Sequence, residues 1–213
     1  MAFRQPANRL PNTVSFTLTE ITFLNSIKPW DKLKWSGDCG SPANNVSRNA
    51  IKDEIKRQLL VIQDNYCAIC GLNLSLAYEI HREHIAPQYK QPQYIYEPEN
   101  LVLTCNFCNM NKKTTKTVTT NTGTYATEDF NILHPHRDNF NTYLSCNFLN
   151  NELIFKILGP ELEKTKKTIK CYGLDAPHII SQRGAIILKS AMPTSPVLDW
   201  FVKLSIRFNR KRN

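Results

Sequence analysis

Two C-x-x-C pairs, Cys67-Ala-Ile-Cys70 and Cys105-Asn-Phe-Cys108, restrict the fold of this chain more than any other feature of its sequence. Each pair sets two soft sulfur ligands along one edge of a cation, and two pairs complete the tetrahedron that zinc prefers. Gly71, directly after the first pair, allows the tight turn such a knuckle needs. The chain holds seven cysteines. An odd count with four in this spacing fits a structural Zn²⁺ in a reducing compartment better than a disulfide framework. Cys39, Cys146 and Cys171 then read as free, small, apolar side chains. Cys70 and Cys105 stand 35 positions apart, more than an ordinary zinc ribbon spans, so further structure is expected between the knuckles.

The intervening sequence is ordered by its breakers and apolar runs. Tyr78–Ile85 reads as a short strand that Pro87 stops, with Glu83 and His84 near its end on opposite faces. Asn100 opens a second, apolar strand, Leu101-Val102-Leu103, which runs straight into the second knuckle. Asn109 follows Cys108 and begins a segment that closes in Lys112-Lys113. The order is strand, loop, strand, helix, with a histidine and two asparagines at the junctions.

This block resembles the four-cysteine form of the HNH, or ββα-metal, nuclease family: C-x-x-C, an acid before His-Ile-x-Pro, Asn-Leu, then C-x-x-C-Asn and a lysine. The resemblance implies hydrolysis of DNA phosphodiesters, which needs an in-line water, a base for its proton and a cation on the phosphate. It makes His84 the base, a role an imidazole of near-neutral pKa suits. Glu83 and Asn109 become oxygen ligands of a catalytic Mg²⁺ or Mn²⁺, distinct from the zinc of Cys67, Cys70, Cys105 and Cys108. Asn100 would hold the loop and orient His84 through its side-chain amide. Members with a three-histidine metal site place a histidine where this chain has Lys113. Lys112, Lys113 and Lys116 are therefore expected to meet nucleic-acid phosphate. Glu83 stands where aspartate is commoner, lengthening the ligand by one methylene.

Plainer roles stand beside these. His84 can pack beside the zinc cluster, and Asn100 can be a turn residue. His81 shares a strand face with Glu83, so it either joins the metal or stays a surface histidine. His134, His136 and Asp138 suggest a second metal, but Pro135 between the histidines favours rigid packing or a surface loop. The alternatives to a nuclease are a zinc-stabilised nucleic-acid-binding module or an interaction subunit without cleavage activity.

The rest of the chain frames this block. Residues 12–24 alternate, with Val14, Phe16 and Leu18 on one face, and are expected as a strand or hairpin arm. Residues 25–49 hold Trp30, Trp35, Gly37, Gly40 and Pro42 and read as turns. A helix capped by Ser47 or Asn49 follows, carrying Ile51, Ile55, Leu59 and Ile62 at helical spacing as far as Asp64. Residues 121–151 read as polar and irregular, and helices are expected over 162–172, 175–191 and 197–208. This divides the chain into an N-terminal arm (1–49), an HNH core with its leading helix (50–120) and a mainly helical region for docking and DNA positioning (121–213). The expected fold class is α+β: a ββα-metal core with a structural four-cysteine zinc site, embedded in a mainly helical domain.

Composition narrows the partners. At 41% hydrophobic and 21% charged residues, wholesale disorder is excluded. No apolar run is long enough to span a membrane, and the first residues lack the apolar stretch of a secretory signal. The expectation is a cytoplasmic protein with no membrane and no small-molecule substrate. A net charge of +9 favours a polyanion such as DNA. No acid interrupts residues 101–127, and the tail carries Lys203, Arg207, Arg210, Lys211 and Arg212, either for phosphate or as a solvated end. The tryptophan-bearing N-terminal region and the stretch Asp129-Phe-Asn-Ile-Leu-His-Pro-His more loosely resemble HNH nucleases of bacterial anti-phage systems, notably the Septu nuclease subunit (PtuB), also found with some retrons. That likeness implies an ATPase subunit as partner.

Overall fold

The centre of the fold is an antiparallel strand pair, β1 (Ile80–His84) and β2 (Leu101–Cys105), with His84 opposite Leu101 and Ile80 opposite Cys105. This computed structural model describes residues 9–150, 152–160 and 162–191. Every residue of β2 is buried, because the leading helix α3 (Pro42–Ile62) covers it and α4 (Asn106–Lys112) springs directly from its end. Ile51, Ile55 and Leu59 recur at helical spacing and are all buried against the strand pair. Each contributes about 1.5–3 kcal/mol by leaving water. Gln63, just past α3, fastens the helix to the strand: its amide donates to the Leu103 carbonyl (2.9 Å) and accepts from the Leu103 amide (2.7 Å). The four elements therefore form the ββα arrangement expected, inside an α+β molecule.

Several boundaries differ from expectation, each for a local reason. Residues 12–24 do not form a strand; α1 (Leu18–Ser26) begins there instead. Thr17 accepts from the Glu20 amide while the Glu20 carboxylate accepts from the Thr17 amide, a capping box that overrides the short alternation. The turn-rich stretch also holds a short helix, α2 (Lys32–Ser36), capped by Asp31. Helix α3 starts at Pro42, capped by Ser41, rather than at Ser47 or Asn49, since proline at the first helical position sacrifices no hydrogen bond. Asn109 lies inside α4 rather than at its start.

The largest difference is in the C-terminal part. Residues expected to be irregular contribute α5 (Phe140–Tyr143) and β3 (Leu144–Leu149), which pairs antiparallel with β4 (Glu152–Ile157). Asn150, at φ 49°, makes the two-residue turn between apolar runs, a conformation asparagine tolerates. Helices α6 (Leu162–Tyr172) and α7 (Pro177–Ala191) match the expected spans. Helix α6 packs on α4 and β4, and α7 packs on β4, so this region closes over the back of α4. The expected helix 197–208 and the basic tail lie outside the described residues. Among those described, no helix is long and apolar enough to cross a membrane.

Candidate active site and metal centre

The first knuckle is a hydrogen-bonded turn between α3 and β1. The Gly71 amide donates to the Cys67 carbonyl (3.0 Å) and the Cys67 amide to the Leu72 carbonyl (2.8 Å). Gly71 takes φ 71°, where a β-carbon would be strained. The Ala68 amide reaches the Leu103 carbonyl (3.1 Å) and so ties this turn to β2. The second knuckle is the junction of β2 with α4, Cys105 ending the strand and Cys108 lying one helical turn on. Strand pairing thus brings the four sulfurs together, all within 4.8 Å of one another, with Cys70 and Cys105 at 3.6 Å. Zinc–sulfur bonds of about 2.3 Å in a tetrahedron put sulfurs about 3.8 Å apart, so the cluster has the size for such an ion. The four side chains are buried, as in a closed four-thiolate structural site rather than a catalytic one with an open position. Cys39, Cys146 and Cys171 are buried and form no disulfide among the described residues.

The second feature is a cleft at the far end of the strand pair. Glu83, His84, Asn109, Lys112 and Lys113 line it together, with Arg82 and Lys32 at its wall. His84 is 4% exposed; its Nε2 lies 3.0 Å from the Ile95 carbonyl. A carbonyl can only accept, so Nε2 carries the proton and Nδ1 keeps the lone pair. Trp35 meets the ring edge-on, with centroids 4.5 Å apart. Burial, reinforced by the charges of Lys112 and Lys52, lowers the His84 pKa to about 3, so the ring is neutral at physiological pH but a weaker proton acceptor than the near-neutral imidazole expected.

Asn100 is fully buried and touches loop backbone rather than the cleft. Its Oδ1 accepts from the Ala86 amide (2.6 Å), and its Nδ2 donates to the carbonyls of Tyr94 (2.8 Å) and Ala86 (3.2 Å). It reaches His84 indirectly, by holding the loop whose Ile95 carbonyl fixes the ring. Tyr125 adds a hydrogen bond to the same Oδ1 (3.1 Å) and meets His134 Nε2 (2.8 Å).

Lys112 corrects one expectation. It is not a surface contact for phosphate: it is fully buried, and its ammonium donates to Glu83 Oε1 (2.6 Å) and the His84 carbonyl (2.7 Å). One oxygen of the expected metal ligand is therefore already engaged by a cation. Burial raises the Glu83 pKa while Lys112 opposes that shift. Lys113 and Lys116 are exposed. His81 pairs with Glu79 (3.2 Å). Among the described residues His134 and His136 join no cluster of metal-ligating side chains: His134 Nδ1 accepts from the His136 amide, its Nε2 meets Tyr125, and His136 Nε2 faces the Leu101 carbonyl.

Sequence reasoning missed Trp35, Lys112 as a partner of Glu83, and Arg183. Only Arg183 left a trace: it lies four residues after Ile179 and three before Ile186, inside the apolar stripe of α7.

A four-sulfur cluster and a His-Glu-Asn cleft on one strand-loop-strand-helix unit agree with the comparison to known families, in which the HNH endonuclease model matches residues 67–115. Residues 67–115 are an HNH endonuclease domain. No characterised protein and no solved structure matches the chain. The HNH domain begins at the first knuckle and ends just past Lys113, so it contains both the sulfur cluster and the cleft-lining Glu83, His84 and Asn109. Trp35 and Arg183 lie outside it.

Proposed function

We propose that this protein is a metal-dependent endonuclease acting on DNA, with His84 as general base. The observation that carries the reading is the held ring of His84: Nε2 is committed to a backbone carbonyl while the ring lines a cleft shared with Glu83, Asn109 and Lys113. A ring fixed through one nitrogen presents the other, with its lone pair, to a water. His84 Nδ1 would take the proton as the water attacks phosphorus. Asn100 acts as a positioning residue, and exposed Lys113 and Lys116 hold the phosphate backbone. Glu83, through its second carboxylate oxygen, and Asn109, through its amide oxygen, would hold Mg²⁺ or Mn²⁺. That ion supplies charge stabilisation on the phosphate and the leaving oxygen. Cys67, Cys70, Cys105 and Cys108 hold a structural Zn²⁺ that fastens the knuckles.

The organisation we favour starts the nuclease core at α3 (Pro42) and ends it at residue 120, with residues 121–213 for docking and DNA positioning and the preceding arm supplying Trp35 behind His84. A cytoplasmic role in bacterial anti-phage defence beside an ATPase subunit is the finer reading. It rests on the N-terminal tryptophans and the His-Pro-His stretch alone. One observation favours a second reading, a zinc-stabilised nucleic-acid-binding module that does not cut: Lys112 already neutralises Glu83.

Plasmid cleavage with Mg²⁺ or Mn²⁺ separates the two. The wild type should cut, and His84→Ala should lose about 10²–10⁴-fold in rate with its zinc content unchanged. Salt-dependent binding of DNA by the wild type with no cutting would establish the second reading instead.

A further inference from the structure

Arg183 is the most deeply buried cation of α7 and takes no part in the cleft. It has no exposed surface, and among the described residues no carboxylate lies within ion-pair distance of it. Its Nη2 lies 3.3 Å from Cys108 Sγ and its Nη1 3.5 Å from the Gly173 carbonyl, while Nε has no partner among the described residues. Phe107 and Phe155 flank the guanidinium at 5.7 and 6.0 Å. A guanidinium cannot shed its proton, so a buried one persists only beside compensating charge. The four thiols are where that charge can reside. A divalent ion held by four thiolates leaves the cluster doubly negative, and a charge-assisted N–H···S bond offsets part of it.

We propose that Arg183 is a component of the metal centre, supplied from α7 outside the HNH domain, which compensates the charge of the four-thiolate cluster through Cys108 and thereby couples metal retention to the docking of the C-terminal region. The proposal rests on the reading of the four cysteines as a metal site. The coupling is reciprocal: whatever α7 contributes to holding the ion, the ion contributes to holding α7. Helix geometry supports this division of labour. Ile179, Ile186 and Ile187 bury the same stripe of α7, so packing seats the helix while Arg183 contributes charge.

The test uses the full chain, purified with zinc, and follows metal content and the rate at which a chromophoric chelator removes the ion. Arg183→Met should release zinc about 10–100-fold faster than wild type. Ile187→Ala loosens the packing of α7 but keeps the guanidinium beside Cys108, so it should speed release only as far as α7 undocks, by clearly less than the roughly 10–100-fold of Arg183→Met. Cobalt-substituted protein gives a second readout. Loss of the N–H···S bond should move the sulfur-to-cobalt charge-transfer band to lower energy in Arg183→Met and leave it unmoved in Ile187→Ala. Wild-type release and an unshifted band in Arg183→Met would overturn the proposal. So would equal acceleration by Ile187→Ala at matched stability, which would assign the effect to docking alone. Should Arg183→Met fail to fold, Arg183→Gln, which removes the charge but keeps a polar side chain, carries the test through the release rate, and wild-type release in it overturns the proposal. A wild type that takes up neither zinc nor cobalt would instead overturn the underlying metal reading.

Discussion

The chain carries two buried histidine stretches, and they have opposite fates. His84 and His134 are both almost without exposed surface, and burial lowers the pKa of both below the ordinary histidine range. What separates them is how their nitrogens are used. His84 gives Nε2 to the Ile95 carbonyl and lines a cleft. His134 engages both nitrogens internally, Nδ1 with the His136 amide and Nε2 with Tyr125. A perturbed pKa therefore marks burial, and only the geometry of the second nitrogen marks chemistry.

The largest effect that would break this comparison is on rate. His84→Ala should reduce cleavage by about 10²–10⁴-fold, whereas His134→Leu should cost less than about tenfold at a temperature where it is folded. A His134 variant as dead as the His84 variant would abolish the distinction. Next comes the ion pair beneath the cleft. Lys112→Met leaves Glu83 buried without its partner and should destabilise by about 3–5 kcal/mol in urea unfolding. Full stability would mean that the pair is not formed. His134→Leu strips partners from Tyr125 and the His136 amide and should cost about 1–3 kcal/mol.

A pH series sharpens the same point with a smaller effect. His134 has a depressed folded pKa, so the unfolded chain takes up its proton first. The stabilisation is complete above the unfolded value near 6.5 and is lost as pH falls below it, by up to about 1.4 kcal/mol per pH unit for each such histidine. The urea midpoint should drop between pH 7.5 and pH 5, less steeply in His134→Leu; an equal slope would remove His134 from the account. The smallest effect belongs to the surface. Replacing Lys113 and Lys116 with alanine should leave folding unchanged and lower the salt slope of DNA binding by about 1 for each phosphate no longer neutralised. An unchanged slope would place the DNA elsewhere on the surface.

The two kinds of site differ sharply in how far a sequence reveals them. The cysteine knuckles are readable because C-x-x-C spacing, Gly71 and the apolar run into Cys105 are local constraints, each tied to a short-range turn or strand. The ββα order follows from breakers and apolar runs in the same way. Helix α1 departs from the strand expected there because the Thr17–Glu20 capping box outweighs a three-residue alternation beside it. The β3–β4 hairpin is hard to see because Ser145 and Asn147 interrupt the apolar run before its turn-forming Asn150. The partners of the site are not readable at all. Lys112 looks like any surface lysine in a basic run, and only the packing of α4 on β1 sets its buried ammonium on Glu83 and the His84 carbonyl.

What the sequence by itself determined is the set of sulfur ligands, the order strand, loop, strand, helix, and the histidine at the end of the first strand. These depend on neighbours a few residues away, where turn and strand chemistry acts. What only the tertiary structure decided is which charges and rings surround those residues: Trp35 against His84, Lys112 on Glu83, Arg183 on Cys108. These pairs join residues between 29 and 75 positions apart. Burial, a property of the assembled core, turns an ordinary lysine or arginine into a group that must find a compensating partner.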